Sequence, residues 1–158
     1  MTRAACFALC ALLGTAVPAA AASGTADMVA RRIAQDGAKQ AVAALQKNKT
    51  WPRVIAGISS GNAAWVALTP RLAEGTDAGT SEELDYALSL ALLRNAPAVL
   101  ALPAGTFPAE RICVVPYIEP TDAQVKSFVA RADRALGAVK GGKLAAPRDA
   151  CLKSLHAR

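Results

Sequence analysis

Aromatic residues are scarce in this chain, at 4% of its 158 residues, and charged residues reach only 19%. The low charge argues against intrinsic disorder, because disordered chains combine low hydrophobicity with high net charge. The hydrophobic fraction is 53%, and it comes largely from 38 alanine residues rather than from Val, Ile or Phe. Since alanine has the highest helix propensity, this composition predicts an all-α protein.

Histidine is almost absent, with His156 alone, and only four cysteines occur. Two of the cysteines lie in an N-terminal segment that we expect to be removed, so too few ligands remain for a zinc site. No glycine-rich phosphate loop follows a strand-like segment. We therefore expect no metal and no cofactor. We also expect no nucleic-acid partner, because aromatic platforms and groove-binding motifs are missing.

The N-terminal residues 1–22 have the features of a secretory signal peptide. One arginine precedes the apolar, uncharged residues 4–13, and residues 20–22 are alanines that suit a small-residue cleavage site. We expect cleavage after Ala22, which leaves a single periplasmic or secreted domain at residues 23–158. The Ala, Arg, Gly and Leu bias is typical of a bacterial protein. No later run is apolar and long enough to predict a transmembrane segment.

Cleavage would leave two cysteines, Cys113 and Cys151. An even number of cysteines in an exported protein predicts a disulfide, and two separate buried thiols are the alternative. The bridge would close a loop of roughly 39 residues and stabilise the fold by about 3–4 kcal/mol. Cys113 belongs to residues 112–115, the only β-like stretch, which Pro116 ends. We therefore expect an extended segment there rather than a sheet.

Apolar spacing in residues 23–158 predicts five to six short antiparallel helices. For example, Trp51, Val54 and Ile58 lie at i, i+3 and i+7, which places them on one helical face. Two similar breaks, each a small polar turn between apolar helices, fall in residues 50–103. This spacing resembles the stacked helix pairs of HEAT-type repeat proteins. An irregular bundle is the alternative architecture.

Capping residues predict where several helices begin. Thr25 can cap the first helix. Thr80 with Glu83, and Thr121 with Gln124, have the spacing of a capping box, in which side chain and backbone bond reciprocally. The sequence therefore predicts helix starts at these three positions.

Residues 57–61 (GISSG) match the G-x-S-x-G motif, which presents a nucleophilic serine between a strand and a helix in α/β-hydrolases. The residues before Ser59 have helical rather than strand spacing, so a helix–helix turn is the favoured interpretation. Trp51 and Trp65 lie on consecutive predicted helices and can share the core or line a groove. A small hydrolase or ligand-binding protein with a pocket near Ser59 and Trp65 is therefore the alternative functional hypothesis.

Charge is unevenly distributed along the chain. Residues 74–85 carry five acidic residues and no basic one, whereas residues 123–158 carry eight basic residues and two aspartates. Exposed charge of one sign favours partners of the other sign. The candidate interaction residues are Asp77, Glu82, Glu83, Asp85, Lys126, Arg131, Arg134 and Lys140.

These features favour an exported, non-enzymatic helical protein that binds another protein. In size, export and helix content it resembles the small exported immunity proteins that block toxin enzymes, which implies an immunity- or inhibitor-type role. A weaker alternative is a protein that binds an anionic envelope surface through its basic C-terminal helix.

Overall fold

The computed structural model describes residues 19–157, which form eight α-helices and one short 3-10 helix. The structure contains α1 (Ala19–Asp36), α2 (Ala38–Lys47), α3 (Trp51–Ser59), α4 (Ala63–Ala73), α5 (Ala78–Leu100), α6 (Ala109–Ile112), α7 (Asp122–Gly137), the 3-10 helix (Gly142–Leu144) and α8 (Ala145–His156). No strand occurs between residues 19 and 157, so the predicted all-α class is confirmed. The expected signal peptide lies outside the described residues except for its last four, which begin α1. Cleavage after Ala22 stays a prediction.

The described part of the chain has more helices than the five to six predicted. Gly37 separates α1 from α2, because its φ of 81° lies in the left-handed region that glycine adopts without steric cost. Residues 109–112 form α6, so Ile112 ends a helix instead of beginning the predicted extended segment, and Cys113 and Val114 after it form a bend. Thr25 lies inside α1 and does not cap it, because the alanines that precede it are already helical.

Helix α5 lies at the centre of the fold and packs against α3, α4, α6 and α7. Leu84, Leu88 and Leu92 recur every four residues on this helix and are completely buried, so they form one continuous apolar stripe. Non-helical backbone at Asn95 (φ −151°, ψ 64°) breaks α5, and the Asn95 Nδ2 donates to the Gly61 carbonyl oxygen at 2.8 Å. The two helices predicted on either side of this asparagine are therefore the two halves of α5.

One of the two predicted capping boxes is confirmed and the other is displaced. Thr121 caps α7, with its backbone N–H donating to Gln124 Oε1 at 2.9 Å and the Gln124 N–H donating to Thr121 Oγ1 at 3.3 Å. At α5 the N-cap is Asp77, whose Oδ1 accepts the Thr80 N–H at 2.9 Å. The predicted cap at Thr80 is thus wrong by one turn, because Asp77 competes better for the first free N–H groups.

The predicted disulfide between Cys113 and Cys151 is confirmed. Both cysteines are buried, and their Cα atoms are 5.3 Å apart. Cys113 directly follows α6 and Cys151 lies within α8, so the bridge attaches the last helix to the middle of the chain.

Two glycines allow helices to approach each other closely. A Cβ atom on Gly57 of α3 would lie 2.6 Å from the indole ring of Trp65 on α4. A Cβ atom on Gly75, in the turn after α4, would lie 2.4 Å from the backbone carbonyl of Ala38 in α2. Both distances are far below van der Waals contact, so these positions require glycine.

Large apolar side chains are mostly buried in one continuous core. Among the side chains that the structure describes, the exposed large apolar ones are Met28, Tyr117 and Ile118. Among the described helices, none combines the length and apolarity that a bilayer-crossing segment needs.

Candidate functional site

Three of the predicted acidic interaction residues are bonded within the chain. Asp77 caps α5, and hydrogen bonds from Thr80 hold the pKa of its carboxyl below the usual value. Glu82 accepts a hydrogen bond from the Tyr86 hydroxyl at 2.6 Å. Glu83 accepts one from the indole N–H of Trp51. These carboxylates stabilise the start of α5 and its contact with α3.

The fourth acidic residue, Asp85, is buried and forms an ion pair with Arg111, whose side chain is partly exposed. Its Oδ2 accepts hydrogen bonds from Arg111 Nε at 2.8 Å and lies 2.7 Å from Arg111 Nη2, whereas its buried Oδ1 has no partner. Arg111 also donates to the hydroxyl of Ser81 at 2.9 Å. Beside this pair, Ser89 Oγ donates to the Ile112 carbonyl oxygen at 2.8 Å. The network holds α6 on α5, so Asp85 stabilises the fold and is not exposed to a binding partner.

Burial raises the pKa of Asp85 above its usual 3.8, although the Arg111 guanidinium opposes the shift. A raised pKa means that the folded state binds the proton more tightly than the unfolded state. As the pH falls from the raised pKa toward 3.8, the free energy of unfolding of the wild type should therefore rise relative to that of Asp85→Asn, which does not titrate there. Urea denaturation of both proteins between pH 7 and pH 3 measures the difference between their free energies of unfolding. A difference that does not change with pH would contradict the raised pKa of Asp85.

The predicted basic residues are all exposed, and Arg131 and Arg134 line a shallow pocket with Leu93 of α5 that Lys126 does not line. Lys126, Arg131 and Arg134 are exposed on α7, and Lys140 is exposed just after it. None of the four forms an ion pair within the described part of the chain. The Arg134 Nε donates only to the Ala130 carbonyl oxygen, at 3.2 Å. We call these four residues the basic surface.

An apolar groove lies beside the basic surface. This α7–α8 groove has a volume of about 370 Å³ and is lined by Val115, Val125, Lys126, Val129, Ala130, Asp133, Leu155 and His156. At its edge, the Nε2 of His156 lies 2.9 Å from Asp133 Oδ1, which joins α8 to α7. The groove therefore has an apolar base and a charged rim.

The segment between α6 and α7 adds exposed apolar side chains next to this groove. Val115 lines the groove, Tyr117 packs edge-on against Phe128 of α7 with ring centroids 6.1 Å apart, and Ile118 is 87% exposed. Tyr117 and Ile118 are not among the residues that the sequence predicts to interact with a partner. Their only signal was an apolar run, Val-Pro-Tyr-Ile, that belongs to no helical stripe.

A second groove lies among α1, α2, α3 and α4. This α1–α3 groove has a volume of about 310 Å³ and is lined by Thr25, Met28, Val29, Arg32, Leu45, Thr50, Arg53, Val54 and Trp65. Trp65 thus lines a groove, whereas Ser59 does not line it. Ser59 is the last residue of α3, and the described hydrogen bonds join it neither to His156 nor to a carboxylate.

Within residues 19–157, no cluster of His, Cys, Asp and Glu has the geometry to hold a metal ion. The GISSG motif forms the end of α3 and the turn before α4, where Ser60 Oγ donates to the Gly57 carbonyl oxygen at 2.6 Å.

Comparisons of the chain with protein-family models, curated proteins and solved structures found no match.

Proposed function

We propose that this protein is exported, catalyses no reaction, and binds an acidic protein partner at the α7–α8 groove. The observation that carries this proposal is the apolar α7–α8 groove, which is lined by Val115 and followed in the same segment by Ile118, a side chain that is 87% exposed. Single exposed apolar residues are common on monomers. Here Ile118 shares a segment with Tyr117 and Val115, so the apolar surface continues into the groove. A continuous apolar surface with a polar rim is typical of protein interfaces.

The basic surface supports an acidic partner. Lys126 lines the groove, and Arg131 and Arg134 are exposed elsewhere on α7; none of the three pairs with a carboxylate among the described residues. Opposite charge around an apolar contact accelerates association and disfavours wrong partners. The complementary partner surface therefore presents an apolar side chain for the groove with Asp or Glu around it. An immunity- or inhibitor-type role is the form of this function in which the partner is an enzyme.

The proposal can be tested by photocrosslinking in the source organism. A benzoylphenylalanine at position 118 of the full chain should crosslink to one envelope protein, because Ile118 would be buried in the complex. The same probe at Gln40, an exposed residue of α2, is the matched control and should give no such product. Mass spectrometry then identifies the captured protein.

Charge reversal separates the proposal from its rivals. Lys126→Glu should reduce the position-118 product by about fivefold, because Lys126 lines the groove. Lys39→Glu with Lys47→Glu on α2 should leave it unchanged. Equal products at positions 118 and 40 would overturn the proposal. Salt-sensitive binding to phosphatidylglycerol vesicles, without a protein crosslink, would also overturn it and assign the basic surface to the envelope.

A further inference from the structure

The α1–α3 groove has the composition of a small-molecule site. The side chains of Val29, Leu45, Val54 and Trp65 that line it are buried, so they form an apolar base. Met28, in contrast, is 56% exposed although its side chain is apolar. Methionine is unbranched and flexible, and it is frequent on surfaces that adapt to apolar ligands.

The volume of this groove favours a small ligand over a protein segment. At about 310 Å³, it lies at the lower end of the range of roughly 300–1,000 Å³ that is usual for small-molecule sites. Because the base is apolar and the groove is open to solvent at Met28, the buried part of a ligand would be a short hydrocarbon chain or a ring.

The charges around the groove are positive. Arg32 and Arg53 both line it, and none of its lining residues is acidic. The side chain of Arg53 makes no hydrogen bond or ion pair within the described part of the chain. The Arg32 Nε lies 3.2 Å from Asp36 Oδ2, but both groups are about half exposed. Such an exposed pair contributes little, so Arg32 can also turn toward a ligand.

From these observations we infer that the α1–α3 groove binds a small amphipathic anion, with an apolar tail on Trp65 and one carboxylate at Arg53. A guanidinium matches a carboxylate bidentately, and such charge-assisted hydrogen bonds are stronger than neutral ones. This inference goes beyond the proposed protein-binding function and uses none of its residues.

Tryptophan fluorescence tests the inference, because Trp65 lines the groove. Octanoate, titrated below its micelle concentration into the oxidised full chain, should change the emission in a saturable way. Octyltrimethylammonium has the same tail and the opposite charge, so it should bind at least about tenfold more weakly. A Trp51→Phe variant should retain the response, because Trp51 does not line the groove.

Two arginine variants make the assignment specific. Arg53→Gln should weaken octanoate binding by about tenfold, the effect expected for the loss of one charged hydrogen bond. Arg131→Gln removes an exposed cation from α7 and should leave the affinity unchanged. The inference is overturned if octanoate gives no saturable change, if the cationic ligand binds equally well, or if both variants have the same effect. None of these results bears on crosslinking at position 118.

Discussion

Replacement of Cys151 by serine is expected to lower the free energy of unfolding by about 3–4 kcal/mol, since it opens a loop of roughly 39 residues. For a domain of this size, that loss lowers the melting temperature by roughly 10–15 °C. Both cysteines are buried and hold α8 against the segment after α6, so the reduced chain also loses the tight attachment of its last helix. Thermal unfolding followed by circular dichroism measures the effect.

The redox state provides the control for this prediction. Dithiothreitol should bring the wild type to the melting temperature of the double variant Cys113→Ser with Cys151→Ser, and it should leave the double variant unchanged. The double variant also removes the free thiol that would otherwise form intermolecular bridges. If oxidised wild type and double variant melt together, the bridge does not contribute to stability.

Replacement of Gly75 by alanine is expected to destabilise the fold by about 2–3 kcal/mol, the upper part of the range for overpacked positions. The new Cβ would lie 2.4 Å from both the carbonyl carbon and the oxygen of Ala38. These are backbone atoms of α2, so no side-chain rotation relieves the overlap. The turn after α4 would have to move away from α2. Urea denaturation of wild type and variant measures the loss.

Gly79 offers a matched control for Gly75, four residues away. It lies in the first turn of α5, where an added Cβ would have only Asp77 Oδ1 nearby, at 3.9 Å. Gly79→Ala should stabilise by about 0.5–1 kcal/mol, because alanine loses less backbone entropy in a helix. Equal effects at both positions would show that the contact with Ala38 does not limit the packing of α2.

The helices could be predicted because their signals are local. The i, i+4, i+8 spacing of Phe128, Ala132 and Leu136, together with the Thr121 cap, predicts α7, and these three residues are buried. The missed boundary at Gly37 depended on a positive φ, and a glycine inside an alanine-rich helix does not by itself indicate one. The disulfide was predictable because only two cysteines remain after the expected cleavage.

The candidate sites were less predictable because tertiary contacts create them. The sequence groups Asp85 with an acidic cluster, but its partner Arg111 is 26 residues away and no local pattern links the two. Ile118 lies outside any periodic stripe, so its exposure becomes apparent only when α7 has packed. The basic residues of α7 were correctly placed on its exposed face, since helical spacing alone determines which face remains polar.

The central position of α5 has a consequence for how the molecule opens. Helices α1–α4 contact one another and form a first group, and α6–α8, in which the disulfide joins the end of α6 to α8, form a second group. Helix α5 contacts α3 and α4 of the first group and α6 and α7 of the second. The first group can therefore unfold locally while the disulfide-linked group stays folded. The amide protons around Leu88 are exposed only when both groups open, so their hydrogen exchange reports global unfolding. One helix thus couples two units that differ in local stability.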